Sequence, residues 1–183
     1  MIRVFPIAAP TTLTNSFGED RGGRAHQGND LFANEGSPLV AVDDGELRSG
    51  TDPLGGNIVN LYSTDNTRYY YAHLLSFANV AGESTHAPPS PRQVRTGDLV
   101  GFLGKTGNAA ATPPHLHFEA HPNRGVAVDP YPALAAAPRV DLSSGRSRSP
   151  LTTLLIAGAV GVGVWSLLYP RAARQAIRRL VPR

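Results

Sequence analysis

The stretch Thr112-Pro-Pro-His-Leu-His-Phe-Glu-Ala120 decides how this chain is read. His115, His117 and Glu119 alternate with Leu116, Phe118 and Ala120. As a β-strand the segment therefore has an apolar face for a core and an opposite face carrying two imidazoles and a carboxylate. Imidazole is the commonest protein ligand for zinc-like metals, and it titrates near neutral pH, so a pair can divide into one ligand and one acid or base. The plainer alternative is a strand edge with two solvated histidines, which a short motif by itself does not exclude.

Working outward, the preceding segments read as short strands: Pro38–Val42, Gly45–Gly50, Asn57–Tyr62 and Arg68–Leu75, each bounded by Gly, Pro, Asn or Asp. Asp43-Asp44-Gly45 and Asp65-Asn66 supply turn chemistry between them. This spacing predicts an all-β domain with an antiparallel, sandwich-like sheet. In the fourth strand, strict alternation puts Tyr69, Tyr71 and His73 on one face and Tyr70, Ala72 and Leu74 on the other, making His73 a third histidine for a polar groove. Upstream, Gly28 and Asn29 disfavour a helix, so His26 closes a loop and Asp30 begins a strand with Leu31 and Phe32. The Pro-rich run 78–93 is expected to be a loop bordering a groove, with His86 solvated. Gly101-x-x-Gly104-Lys-Thr106 suggests a phosphate cradle, but Leu99 stands where a P-loop needs its first glycine, and that reading is set aside.

Composition narrows the chemistry. A chain of 183 residues with 41% hydrophobic content suits one domain with a real core, and 19 Gly with 16 Pro favour short strands over long helices. The absence of cysteine excludes disulfides and thiolate metal sites, leaving histidine and carboxylate as ligands. The net charge of +3 is unevenly placed: residues 139–183 hold eight arginines against Asp141 alone, and the first 138 residues are net acidic. A nucleic-acid footprint on the domain would need clustered Lys and Arg, so none is expected.

In its ordered pieces the chain resembles the lysostaphin and LytM type of zinc metallopeptidase. The pieces are Ser16-Phe-Gly18, His26-Gln-Gly-Asn-Asp30, Gly36–Ala41, Gly55-Gly-Asn57, Tyr71-Ala-His-Leu74, Gly97–Gly104, Thr106-Gly107, His115–Glu119 and Val128-Asp-Pro130. They span roughly residues 5–132 in the family's order. The resemblance implies one zinc ion held by His26, Asp30 and His117, with His115 and His73 as the two catalytic histidines that do not bind metal. It also implies peptidoglycan cross-link peptides as substrate. Three protein ligands leave a fourth tetrahedral position for water, whose pKa zinc lowers to about 7. His115 is then expected to accept the water's proton and His73 to stabilise the oxyanion, with the two roles exchangeable. Glu119 is either a partner orienting His117 or a solvated acid. Three departures from the family pattern, Asn29, Pro113-Pro114 and the long 78–93 run, bear on groove shape.

Beyond the peptidase-like domain, assigned to residues 1–135, the composition changes. Residues 136–150 read as a Pro-, Ser- and Arg-rich linker. Leu151–Tyr169 carries no charge over 19 residues, enough at about 1.5 Å per residue to span a bilayer core of about 30 Å. Trp165 and Tyr169 lie near one end, and residues 170–183 form a basic tail. The expectation is a single transmembrane helix with the lipid bilayer as partner. More arginines follow the span than precede it, which places the catalytic domain on the extracytoplasmic, cell-wall side. Ala157-x-x-x-Gly161 and Ala159-x-x-x-Gly163 would permit a helix-mediated oligomer. The opening residues, broken by Pro6 and Pro10, do not read as a cleavable signal. Two alternatives stand beside the wall hydrolase: a wall-degrading peptidase carried in a phage virion, and a non-catalytic wall-binding or activator module.

Overall fold

The computed structural model describes residues 1–87 and 90–142. Ten strands lie in one antiparallel sheet: β1 (Thr12–Leu13), β2 (Asn29–Phe32), β3 (Pro38–Val40), β4 (Gly45–Asp52), β5 (Gly56–Ser63), β6 (Arg68–Ala78), β7 (Ser84–Thr85), β8 (Arg92–Val94), β9 (Leu99–Leu103) and β10 (His115–His121). The main path runs β1-β2-β10-β6-β5-β4-β8. The layers come from one sheet folding over itself. At 11 residues β6 is the longest strand, and it pairs with β10 and β5 through its first half and with β9 and β7 through its second. β9 also pairs with β3, and the strands share one core cluster.

The core explains the alternation. Leu116 and Phe118 of β10 are fully buried, as are Leu31 of β2 and Tyr71 of β6. Phe118 stacks on Tyr69 and meets Tyr71 edge to face, contacts that add to area burial. The Tyr71 hydroxyl crosses the core to donate to the Val40 carbonyl at 3.1 Å, and it accepts the Val42 N–H at 3.0 Å. A buried phenol thus meets its hydrogen-bonding needs on the opposite layer, as a polar group out of water must.

Two expectations change. Tyr69 and Tyr71 enter the core, so strict alternation would send His73 there too. His73 instead adopts φ +67°, at a register shift between β5 and β6, and its N–H donates to the Gly55 carbonyl at 2.7 Å. The irregularity reverses the side-chain phase and turns His73 to the face of Tyr70 and Ala72. The described residues of the 78–93 run do not line the groove that His73 enters: they carry β7 and β8 against the sheet. Helix α1 (Tyr131–Ala136) buries Leu134 in the core and the Pro138 carbonyl accepts the Phe5 N–H; residues 143–150 of the expected linker lie outside the described residues. Residues 151–169 lie outside the described residues. Among the described residues no helix is long and apolar enough to cross a membrane.

Candidate active site

The site follows from the register of three strands. Antiparallel pairing sets His117 opposite Asp30 on β2 and opposite Ala72 on β6. Directly opposed residues share a face, so His117, Asp30 and the groove side of β6 meet on the sheet surface. The loop before β2 then delivers His26. It can approach because Gly28 lies against β10: a Cβ there would sit 2.3 Å from the Phe118 carbonyl oxygen.

His26, Asp30 and His117 converge tightly. His26 Nε2 lies 2.8 Å from His117 Nδ1, and each is 3.2 Å from Asp30 Oδ1. The other polar atom of each residue is held elsewhere. His26 Nδ1–H donates to the Ser16 carbonyl at 2.8 Å, and His117 Nε2–H donates to Glu119 Oε1 at 2.9 Å. Asp30 Oδ2 accepts from Arg21 at 2.9 Å. Both imidazoles therefore present lone pairs toward each other and toward a carboxylate oxygen, an arrangement that a proton or a metal cation relieves. Tetrahedral zinc with ligands about 2.0–2.2 Å away separates them by about 3.3–3.6 Å, which the two 3.2 Å spacings approach and the 2.8 Å spacing reaches by a small outward shift of the imidazoles. The donor set, the spacing and the outer hydrogen bonds all fit zinc.

Electrostatics point the same way. Burial opposes ionisation of Asp30, but its bonds to His117 and His26 hold the carboxyl well below the usual carboxylate range. Burial also opposes protonation of His117, yet the Asp30 and Glu119 carboxylates raise its pKa above the ordinary value. The same carboxylates that draw a proton to this point draw a metal cation.

His115 and His73 stand beside the triangle. His115 Nε2 is 3.9 Å from Asp30 Oδ1, and its Nδ1–H donates to the Pro113 carbonyl at 2.9 Å. His73 Nδ1–H donates to the Thr106 carbonyl at 2.9 Å, and its ring meets His115 edge to face at 4.9 Å between centroids. Burial, then the nearby His115, pushes the His73 pKa down to about 4, so its neutral ring presents an acceptor at Nε2. The set-aside glycine-rich turn has a structural task here. Thr106 Oγ1 donates to the Leu74 carbonyl and accepts the Asn57 N–H, while Gly56 and Gly107 pack so closely that neither could carry a Cβ. That clasp holds the carbonyl that orients His73.

All five expected residues line one groove of about 520 Å³. Glu119 is the orienting partner of His117 rather than a solvated acid. Sequence reading missed His121, whose Nε2 lies 2.6 Å from Glu119 Oε2, although the alternation of β10 continues to it. It also missed Arg21, Asp52 and Tyr70, which no local pattern marks and which the fold brings to the groove.

An antiparallel β fold that sets two histidines and an aspartate into a metal-sized triangle, with two more imidazole nitrogens facing it, has the constitution of a metallopeptidase centre. Residues 24–130 match peptidase family M23, and the chain belongs to that family. Over 143 residues, 74% of this chain, it is 32% identical to an L-Ala–D-Glu endopeptidase of Bacillus subtilis, covering 43% of that protein. It is 35% identical over 121 residues, 63% of this chain, to the glycyl-glycine endopeptidase ALE-1 of Staphylococcus capitis, covering 30% of it. The chain thus spans less than half the length of these curated relatives. Among solved structures, the catalytic domain of lysostaphin from Staphylococcus simulans superposes with a TM-score of 0.54 at 30% identity, covering 69% of this chain and 92% of that one.

Proposed function

We propose that this chain is a zinc metallo-endopeptidase that hydrolyses peptide bonds of peptidoglycan cross-links, held at a membrane by residues 151–169 with its catalytic domain on the cell-wall side. The observation that carries the catalytic part is the triangle of lone pairs from His26, Asp30 and His117, open to a groove that two further imidazole nitrogens face. The family membership and the endopeptidase activities in its relatives' names, one of them a peptidoglycan DD-endopeptidase of Vibrio cholerae, support the substrate class. The membrane part rests on the uncharged run and its flanking arginines.

When bound by His26, Asp30 and His117, zinc supplies a Lewis acid that activates water and polarises a carbonyl at neutral pH. The chain's own residues do the proton handling. His115 is held in one tautomer by the Pro113 carbonyl, so its Nε2 accepts the proton of the attacking water and returns it to the leaving amine nitrogen. His73 Nε2, an acceptor in the neutral ring, orients a water or peptide N–H; the oxyanion role would require an imidazolium, which burial disfavours. Glu119 keeps His117 Nδ1 free of hydrogen by accepting from Nε2.

The test is mass spectrometry of fragments released from purified peptidoglycan by the zinc-loaded protein. New amino and carboxyl ends within stem or bridge peptides are expected. His117→Ala should lose both zinc and release, whereas His115→Ala should keep zinc and lose about 100-fold or more in rate. Undiminished release by His117→Ala would overturn the reading.

A further inference from the structure

The loop before His26 ends in a small hairpin. Asp20 bridges Ala25, the Arg21 N–H donates to the Arg24 carbonyl at 2.8 Å, and Gly22 and Gly23 take φ +73° and +85°. Positive φ at both central residues is the type I′ turn, for which Gly-Gly is suited. Asp20 Oδ1 accepts the Gly23 N–H at 2.7 Å, bracing the turn from inside. The two arginines flanking this turn both line the groove beside His26.

The charges facing the groove are unequally matched. Asp52 accepts from the Tyr70 hydroxyl at 2.7 Å and from the Leu54 N–H at 2.9 Å. Glu119 is engaged by His117 and His121, and Asp30 by Arg21 and the ligand histidines. Arg68 donates to Asn60 Oδ1 at 3.0 Å, pairs with Glu119 Oε2 at 4.0 Å and lies over Tyr70. Arg21 divides its guanidinium between Asp30 and Glu19. Arg24 is exposed, and among the described residues no hydrogen bond or ion pair holds its side chain. Every carboxylate lining the groove has partners, and the unmatched charge is a guanidinium.

We propose that Arg24, with Arg21 beside it, forms a carboxylate-binding subsite, so that the groove prefers peptides bearing a free carboxylate next to the scissile bond over neutral, glycine-type peptides. The inference rests on the endopeptidase reading and names its substrate class. A guanidinium meets a carboxylate through two parallel hydrogen bonds, and the braced turn lowers the ordering cost of presenting it. One relative named for a bond to an acidic residue and one named for a glycyl bond resemble the chain about equally, so similarity does not make the choice.

The experiment uses the full chain, zinc-loaded, with His115→Ala to prevent turnover, and two fluorescent peptides identical except that a glutamyl carboxylate next to the target bond is a carboxamide in one. Fluorescence anisotropy should show the carboxylate peptide bound more tightly, on the order of 10- to 100-fold, as expected for a charge-assisted hydrogen bond. Adding Arg24→Ala should remove that difference while leaving the amide peptide's Kd unchanged. Arg24→Glu should reverse it. Equal binding of the two peptides, or equal weakening of both by Arg24→Ala, overturns the subsite. Cleavage by the protein with His115 intact separates the two readings. Discriminating binding without cleavage of either peptide overturns the endopeptidase and keeps the subsite. Cleavage of both with equal kcat/KM overturns the subsite and keeps the endopeptidase.

Discussion

At the scale of single residues, the site depends on which nitrogen of each histidine carries hydrogen. Glu119 governs this for His117, since only a proton on Nε2 leaves Nδ1 facing His26 and Asp30. Outer partners of this kind tune metal affinity by about 10- to 100-fold. Glu119→Ala should therefore weaken zinc binding by about that factor, measured by competition with a chromogenic chelator. Glu119→Gln, whose amide oxygen still accepts from Nε2–H, should recover most of the loss. The five expected site residues were legible through the ordered motifs that resemble the lysostaphin and LytM type, whereas spacing alone left the His-x-His pair open to a solvated strand edge. Arg24 was not, since an arginine in a polar loop has no distinguishing pattern until the groove is seen.

At the scale of elements, two turns aim the chemistry. The turn between β4 and β5 is closed by Asp52, whose Oδ1 accepts the Leu54 and Gly55 N–H groups and whose Oδ2 accepts the Tyr70 hydroxyl. Burial raises the Asp52 pKa, but these bonds outweigh it and hold the carboxyl below its ordinary value. A depressed folded-state pKa stabilises the fold above the unfolded value of about 3.9, and that contribution is lost as pH falls through the folded-state pKa. Asp52→Ala should therefore cost about 1 kcal/mol at pH 7. The difference in urea midpoint from the parent chain should shrink as pH is taken below about 4. The second turn, around Thr106, fixes His73, and here alternation misled. It placed His73 with Tyr69 and Tyr71, whereas positive φ at His73 inverts the phase, a backbone event that side-chain periodicity does not record.

At the scale of the whole molecule, the chain joins an M23 domain to an apolar, arginine-flanked run. If residues 151–169 span a bilayer, the full chain should remain with membranes through alkaline carbonate extraction, and residues 1–142 should be released. Recovery of the full chain in the soluble fraction would overturn the anchor. The truncated form is expected to fold, since α1 and the Pro138 contact with Phe5 are retained in it.

The sequence by itself determined the β class, the core-facing residues of β10 and the absence of thiolate chemistry, because side-chain type and two-residue periodicity are local properties; the candidate ligands came from the resemblance of its ordered motifs to a known family. Only the tertiary structure decided that β2 lies beside β10 in the register that brings Asp30 to His117. It alone put His73 on the face of Tyr70 and Ala72, against the alternation of β6, and left Arg24 as the unmatched charge in the groove. Each of these depends on strand register, backbone dihedrals or the pairing of every neighbouring charge, and those are settled by contacts between residues far apart in the chain.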